Sequence, residues 1–120
     1  MSKRDYRDYL YDMLSSITDI EMFIANMTYQ EFINDKKTMN AVVRSIEIID
    51  EASKVIPKSI KDMETSVPWN KIIAMRNKIT HEYFGVDLNI IWNTINYDLP
   101  ALKNSIQVLV NKYKNMCGEN

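Results

Sequence analysis

The sequence predicts an all-α protein, an up-and-down antiparallel bundle of four main helices. Apolar residues recur at steps of three and four along most of the chain, the spacing that places them on one face of a helix. The chain has only 2 glycines and 3 prolines, and strand-rich folds need many more turn residues. Its 120 residues match the length of one domain, so we assign residues 1–120 to a single helical domain. The short connections favour antiparallel neighbours.

The first amphipathic pattern predicts a helix from Asp5 to about Met27. Its apolar stripe comprises Leu10, Met13, Leu14, Ile17, Ile20, Ile24 and Met27. Thr28 and Glu31 then have the spacing of a capping box, in which each side chain bonds the backbone of the other. This spacing predicts a short helix that begins after Thr28.

The second long pattern predicts a helix that begins after a cap at Asp35 or Thr38. Its apolar stripe comprises Met39, Val42, Val43, Ile46, Ile49 and Ala52. It ends near Ile56, because Pro57 disfavours helical geometry in the residue before it. The polar connection that follows has room for one helical turn at residues 59–63.

The third and fourth patterns complete the bundle. Pro68 suits the first turn of a third helix that runs to Tyr83, and Gly85 suits the position that stops it. Asp87 can cap the fourth helix, whose long apolar stripe reaches position 113. Pro100 lies inside this pattern and predicts that the last helix is kinked or split there.

Composition and charge exclude several classes of protein. The net charge is −1, which is not that of a generic polyanion binder. Residues 54–83 carry six lysines and arginines against three acidic residues, a net charge of +3, whereas residues 1–53 carry six against ten, a net charge of −4. The single cysteine cannot form an internal disulfide, and no stretch approaches the about 20 apolar residues that cross a bilayer. We expect a cytoplasmic protein with no membrane segment.

The only histidine of the chain lies in a polar stretch of the third predicted helix. Arg76 and Asn77 precede His81, and Tyr83 follows it. On a helix that advances about 100° per residue, Arg76 and His81 lie about 140° apart, whereas Asn77 and His81 stack as an i, i+4 pair. In a straight helix, Arg76 and His81 therefore cannot close on one phosphate. Either the helix bends near residues 80–81, or a second copy of the chain completes the site.

These residue types match what RNA cleavage without a metal requires. Histidine can accept and release a proton near neutral pH, and arginine stays charged and can bind two phosphate oxygens at once. With one histidine per chain, a two-histidine mechanism requires a dimer. On spacing alone the structural interpretation has more weight: a surface His81, an Arg76 paired with an acidic side chain, and a half-buried Tyr83. One histidine and one cysteine do not make a zinc site, so we expect no metal and no cofactor.

Several segments together resemble one known family. The motif Arg76-x-x-x-x-His81-x-Tyr83 is similar to the Arg-(four residues)-His-x-Tyr motif of HepT-like toxins, in the HEPN superfamily. The likeness extends to residues 41–52, 68–77 and 86–102, which resemble the second long helix of the family, its approach to the motif and its last helix. Nearly the whole chain is covered. One departure is Asp50, where related proteins often have glycine.

The resemblance implies a HEPN-like helical homodimer whose two motifs meet in a cleft and cleave RNA without a metal. Arg76 and His81 would be the catalytic pair, and Asn77 an assisting residue that orients His81. The resemblance also implies a type VII toxin–antitoxin system in which an MntA-like nucleotidyltransferase is the antitoxin. This partner would transfer AMP to Tyr83 and so add bulk and negative charge where an RNA phosphate must lie.

Two glutamates of the second long helix are candidates for orienting the arginine. Glu47 and Glu51 share a flank of that helix with Arg44. One of them can reach across to Arg76, or both can form exposed ion pairs with Arg44 within the helix. The sequence leaves these two alternatives open.

Two other functional classes remain open from the sequence. The chain can be a non-catalytic helical binding module that docks a nucleotidyltransferase, with the motif serving as a docking and modification surface. It can also be a purely structural helical dimer. A binding module would form a stable complex without cleaving RNA, whereas a ribonuclease would lose cleavage when His81 or Arg76 is replaced.

Overall fold

The computed structural model describes the backbone of residues 5–83 and 87–118, and the side chains of these residues except those of 80, 82, 83 and 114–118. The described residues form seven α-helices and one π-helical segment, with no strand. In chain order these are α1 (Tyr6–Phe23), α2 (Tyr29–Ile33), α3 (Lys36–Val55), α4 (Lys58–Met63), α5 (Trp69–Tyr83), α6 (Leu88–Asn93), the π-helical segment (Thr94–Asp98) and α7 (Leu99–Gly118). The prediction of an all-α fold is confirmed.

Four long members form the bundle: α1, α3, α5, and the continuous stretch of α6, the π-helical segment and α7. α1 packs against α3 and α7, α3 also packs against α5, and α5 packs against α6. The molecule measures 48 × 29 × 24 Å. Every long helix contributes to one apolar core, whose most deeply buried side chains include Met13, Ile17, Ile20, Phe32, Val42, Ile79, Ile91 and Ile106. Within the described ranges, no helix combines the length and apolar character that a membrane crossing requires.

Capping side chains set the start of the first three helices. Asp5 and Asp8 form a capping box at α1, and Thr28 and Glu31 form the predicted capping box at α2. Asp35, rather than Thr38, caps α3, because its carboxylate accepts a hydrogen bond from the Thr38 backbone N–H at 3.0 Å. These caps satisfy backbone donors that the first turn of a helix leaves without partners.

α1 ends earlier than its apolar pattern predicts. The helix stops at Phe23, and the chain then turns through Asn26, which has a φ of 62°. This is the left-handed region, which asparagine enters more readily than most residues and which no right-handed helix can continue through. The predicted last turn, as far as Met27, is therefore wrong.

The break near Pro100 is a π-helical segment that directly precedes it. Asp87 caps α6 as predicted, by accepting a hydrogen bond from the Asn89 N–H at 3.1 Å. In a regular α-helix, Pro100 would have no N–H to donate to the carbonyl of Asn96, and its ring would clash with that carbonyl. The wider π turn over Thr94–Asp98 relieves this crowding. Tyr97, within this segment, is 75% exposed.

Candidate functional site

α5 carries the motif on the polar side of an amphipathic helix. Ile72, Met75 and Ile79 are buried and fix the helix on the core. Arg76 is partly exposed and His81 is exposed. The apolar stripe thus sets which way the polar side chains of α5 point.

Arg76 is anchored to α3 by a buried carboxylate. Its Nε–H donates to Asp50 Oδ2 at 3.2 Å. The Arg76 side chain is 34% exposed, whereas that of Asp50 is 3% exposed. A guanidinium has five N–H donors, and this contact uses the one on Nε. The contact fixes the stem of the arginine while its outer end stays near the surface.

The two oxygens of Asp50 have different surroundings. Oδ2 lies 3.1 Å from Lys54 Nζ as well as 3.2 Å from Arg76 Nε. Oδ1 is buried and has no hydrogen-bond partner among the described residues. Two cations beside one oxygen offset the cost of taking the carboxylate out of water. The cluster of Asp50, Lys54 and Arg76 carries a net charge of +1.

The two glutamates that the sequence offers as orienting residues lie elsewhere. Arg44 Nη1 is 3.5 Å from Glu47 Oε1 and 3.9 Å from Glu51 Oε2. The three side chains are each more than two fifths exposed. This is the ion pairing within α3 that the sequence left open as the alternative. The carboxylate on Arg76 is that of Asp50, which the sequence marks only as a departure from glycine.

His81 and Asn77 lie together on the surface of α5. Both are exposed, and they are one turn apart on the same side of the helix. Over residues 76–81, all of which have a described backbone, α5 is α-helical without a π or 3₁₀ turn. An uninterrupted α-helix keeps Arg76 and His81 about 140° apart. Local unwinding of α5 therefore does not bring them onto one phosphate.

Tyr83 is the last residue of α5. Its side chain lies outside the described residues, as does Gly85, the predicted helix stop.

A metal centre has no candidate ligand set in the described part of the chain, where no three His, Cys, Asp or Glu residues lie in a suitable group. The residue that sequence reasoning missed is Asp50. A signal for it exists: Asp50 lies four residues after Ile46, inside the apolar stripe of α3. A charged residue in such a stripe is buried and needs a partner of opposite charge.

Comparisons with known proteins agree on one family. A family model described as "Ribonuclease HepT-like" matches residues 13–109. The chain is 43% identical to "Probable ribonuclease HepT" of Thermococcus cleftensis over 107 residues, which cover 89% of this chain and 97% of that protein. It is also 43% identical to "Putative RNase MJ1216" of Methanocaldococcus jannaschii over 110 residues, which cover 92% of this chain and 91% of that protein. No solved structure gave a significant match.

Proposed function

Because this chain belongs to the ribonuclease HepT-like family, we propose that it is an endoribonuclease that needs no metal and acts as the toxin of a type VII toxin–antitoxin system. Arg76 and His81 are its catalytic residues, and Asn77 assists. Two relatives with ribonuclease names match this chain over 97% and 91% of their own length. The catalytic roles rest on the chemistry and placement of the side chains on α5.

The observation that carries the proposal is the anchoring of Arg76 by Asp50. An arginine that only solubilises a surface has no need of a carboxylate that is 3% exposed, since burying that carboxylate costs free energy. The anchor leaves the four Nη hydrogens as the donors with which a guanidinium grips two phosphate oxygens. The neighbouring Lys54 gives the cluster a net positive charge, which attracts a phosphate.

The proposed site is shared between two copies of the chain. Arg76 and His81 point about 140° apart from one helix, so Arg76 of one copy acts with His81 of the other. A twofold axis beside α5 brings the two motifs together and creates two such sites. The functional unit is therefore a homodimer.

The proposed reaction follows from these groups. One His81 takes the proton of the RNA 2′-hydroxyl, and the 2′-oxygen attacks the adjacent phosphorus. Arg76 stabilises the charge that gathers on the phosphate oxygens. The bond from phosphorus to the 5′-oxygen breaks, the leaving oxygen takes a proton from water, and the protonated His81 returns its proton to the solvent. The products are a 2′,3′-cyclic phosphate and a free 5′-hydroxyl. Asn77, one turn before His81, orients the imidazole.

The proposed control is modification of Tyr83. A cognate MntA-like nucleotidyltransferase transfers AMP from ATP to the phenolic oxygen of Tyr83 and releases pyrophosphate. Tyr83 ends the helix that carries Arg76 and His81. An added phosphate there repels the RNA backbone and occupies the space of the substrate.

Cleavage by purified variants tests the catalytic roles. His81→Ala and Arg76→Ala each lower cleavage of total RNA at least about 10²-fold. His81→Ala changes the melting temperature little, because this side chain is exposed. Arg76→Ala lowers the melting temperature, because the buried Asp50 keeps only Lys54 as a cation, and circular dichroism at the assay temperature checks that both variants are folded. Arg44→Ala is the matched control: it removes an exposed arginine from α3 and leaves cleavage intact. Cleavage by a folded His81→Ala variant, in a preparation free of other nucleases, would rule out the catalytic role of the histidine.

Mass spectrometry tests whether Tyr83 is modified. After co-expression with an MntA-like nucleotidyltransferase, the peptide that contains Tyr83 gains the mass of one AMP group. Tyr83→Phe loses this gain, whereas the control Tyr97→Phe, at another exposed tyrosine, keeps it. A stable complex with no mass gain and no cleavage by the free protein would instead support a non-catalytic docking module.

A further inference from the structure

Three adjacent surface hollows, which share lining residues, lie along the side of α5 and together are called the groove. The central hollow, of about 310 Å³, lies between α5 and the start of α7 and includes Lys71, Lys78 and Tyr97 in its lining. It shares Lys71 and Pro68 with a second hollow towards α4. It shares Lys78 and Tyr97 with a third hollow towards α6. The groove therefore runs from α4, past α5, to the π-helical segment.

The groove is positively charged although the chain is not. Four lysines line its hollows, Lys58, Lys61, Lys71 and Lys78, against the two aspartates Asp62 and Asp98, a net charge of +2. Lys78 Nζ lies 4.0 Å from Asp98 Oδ2, and both side chains are about half exposed. A long, exposed pair of this kind is weak and opens readily for a competing anion. Four of the six cations that residues 54–83 carry thus line one groove.

Two lysines of the groove lie about two helical turns apart, with a small residue between them. Lys71 and Lys78 are seven residues apart on α5, which is about 10 Å along the axis and nearly the same side of the helix. Ala74 lies between them and is exposed. Its short side chain keeps the floor of the groove open between the two ammonium groups. Two cations at this spacing suit successive anionic groups of a chain, rather than one compact anion.

Aromatic rings lie beside the cations. Tyr97 is 75% exposed and borders both the central hollow and the hollow towards α6. Trp69 lines the hollow towards α4, with Lys61 Nζ 5.7 Å from its ring centroid. Sites for single-stranded nucleic acid combine two features: cations along the path of the phosphate backbone, and aromatic rings on which bases stack.

We propose that this groove binds single-stranded RNA, with Lys71 and Lys78 on its phosphates and Tyr97 stacked on a base. The groove leads to the candidate site: His81 is three residues after Lys78, about 4.5 Å further along α5 and about 60° around it. The inference rests on the proposed function, because the RNA in the groove would be the substrate that extends past the cleaved bond. A base-paired helix would not fit, because its bases are not free to stack on Tyr97.

Binding without cleavage tests this groove. The probe is a fluorescently labelled 2′-O-methyl oligouridylate, which lacks the attacking hydroxyl, and anisotropy gives its affinity for the full chain. Lys71→Gln combined with Lys78→Gln weakens binding and lowers the slope of log affinity against log salt by about 0.7 for each lysine that contacts a phosphate. Tyr97→Ala weakens binding about tenfold with an unchanged salt slope.

Matched variants elsewhere on the surface are the controls. Lys36→Gln combined with Lys37→Gln removes the same charge at the start of α3, and Tyr11→Ala removes a tyrosine that is 47% exposed on α1. Both leave the affinity within twofold of the parent protein and the salt slope unchanged. Size-exclusion chromatography of Tyr97→Ala shows an unchanged oligomeric state, whereas a shift towards monomer would assign Tyr97 to a subunit interface and overturn its stacking role.

The outcomes separate this inference from the proposed reaction. Equal affinity of the groove variants and the parent protein overturns the groove as an RNA site, even if unmodified RNA is cleaved. Loss of binding to a partner protein in the same variants, with oligouridylate binding intact, would assign the groove to protein docking instead. Groove-dependent binding without cleavage of unmodified RNA would support the groove and overturn the ribonuclease.

Discussion

Replacing Asp50 with alanine tests whether this carboxylate acts through Arg76. The substitution removes the 3.2 Å contact to Arg76 Nε and the 3.1 Å contact to Lys54 Nζ. It leaves both cations in place, and both can reach water, because the Arg76 and Lys54 side chains are 34% and 55% exposed. The perturbation is therefore directed at the orientation of Arg76 rather than at its charge.

The expected change in stability is small because two terms oppose each other. Hydrogen bonds to charged groups contribute about 1.5–3 kcal/mol each, whereas removal of a carboxylate that is 3% exposed relieves its desolvation. We expect the free energy of unfolding to change by less than about 2 kcal/mol. The cleavage rate falls more clearly, because an arginine without its anchor must lose its side-chain freedom each time the transition state forms. Ordering an arginine side chain costs about 1.5–2 kcal/mol, which lowers the cleavage rate about 10–30-fold.

A double-mutant cycle on cleavage rate distinguishes this role from a structural one. Arg76→Ala alone lowers the rate about 10²–10³-fold, and Asp50→Ala added to it gives no further loss, because the side chain that it positions is gone. Asp50→Asn keeps an acceptor oxygen for the Nε–H and falls between the parent protein and Asp50→Ala. Glu51→Ala, which removes a partner of Arg44, is the control and leaves the rate within about twofold. Additive losses in the cycle would refute the positioning role.

Three further predictions concern the shared site, the end of the bundle near α4, and the core. Mixing inactive Arg76→Ala and His81→Ala subunits restores about a quarter of parent activity, because half of the randomly formed dimers are mixed and each has one intact site; no recovery would place both residues in one copy. Burial and the charge of Glu64 raise the pKa of Tyr113, so the folded state holds this proton longer than the unfolded state. The resulting stabilisation is present below about pH 10 and is lost as pH rises through the folded-state pKa; urea unfolding of Tyr113→Phe shows a shallower alkaline decline, and an identical decline would contradict this. Ile79→Ala, at a residue that is 0% exposed beneath the motif, lowers the free energy of unfolding by about 2–5 kcal/mol in the same assay; a loss below about 1 kcal/mol would mean that the core under α5 is not packed as described.

The parts of the fold that the sequence predicts correctly are those decided by neighbouring residues. The capping box of Thr28 and Glu31 and the helix stop before Pro57 depend on contacts within about one turn. The early end of α1 at Phe23 depends on one backbone angle at Asn26. The apolar pattern continues through that residue and carries no information about its φ.

The partner of Arg76 could not be predicted from spacing because it comes from another helix. Asp50 and Arg76 are 26 residues apart in the chain, and their contact depends on how α3 and α5 pack. Glu47 and Glu51 are also carboxylates of α3 and lie at a similar separation from Arg76 in the chain, but they are on the exposed flank of α3 beside Arg44. Burial, which the apolar stripe through Ile46 and Ile49 indicates, is what separates Asp50 from the two glutamates.

The surface of α5 gives a physical reason to expect the second copy of the chain at the motif. On the helix, Ile73 and Asn77 lie between the directions of Arg76 and His81. Ile73 is 44% exposed and Asn77 is exposed, so this sector combines an apolar side chain with an amide. A second copy of the chain that packs on this sector buries Ile73 and contacts both Arg76 and His81. An isolated chain would leave Ile73 in water and its two candidate catalytic groups directed at different points in solvent, which is why the mixed-dimer experiment bears on the whole proposal.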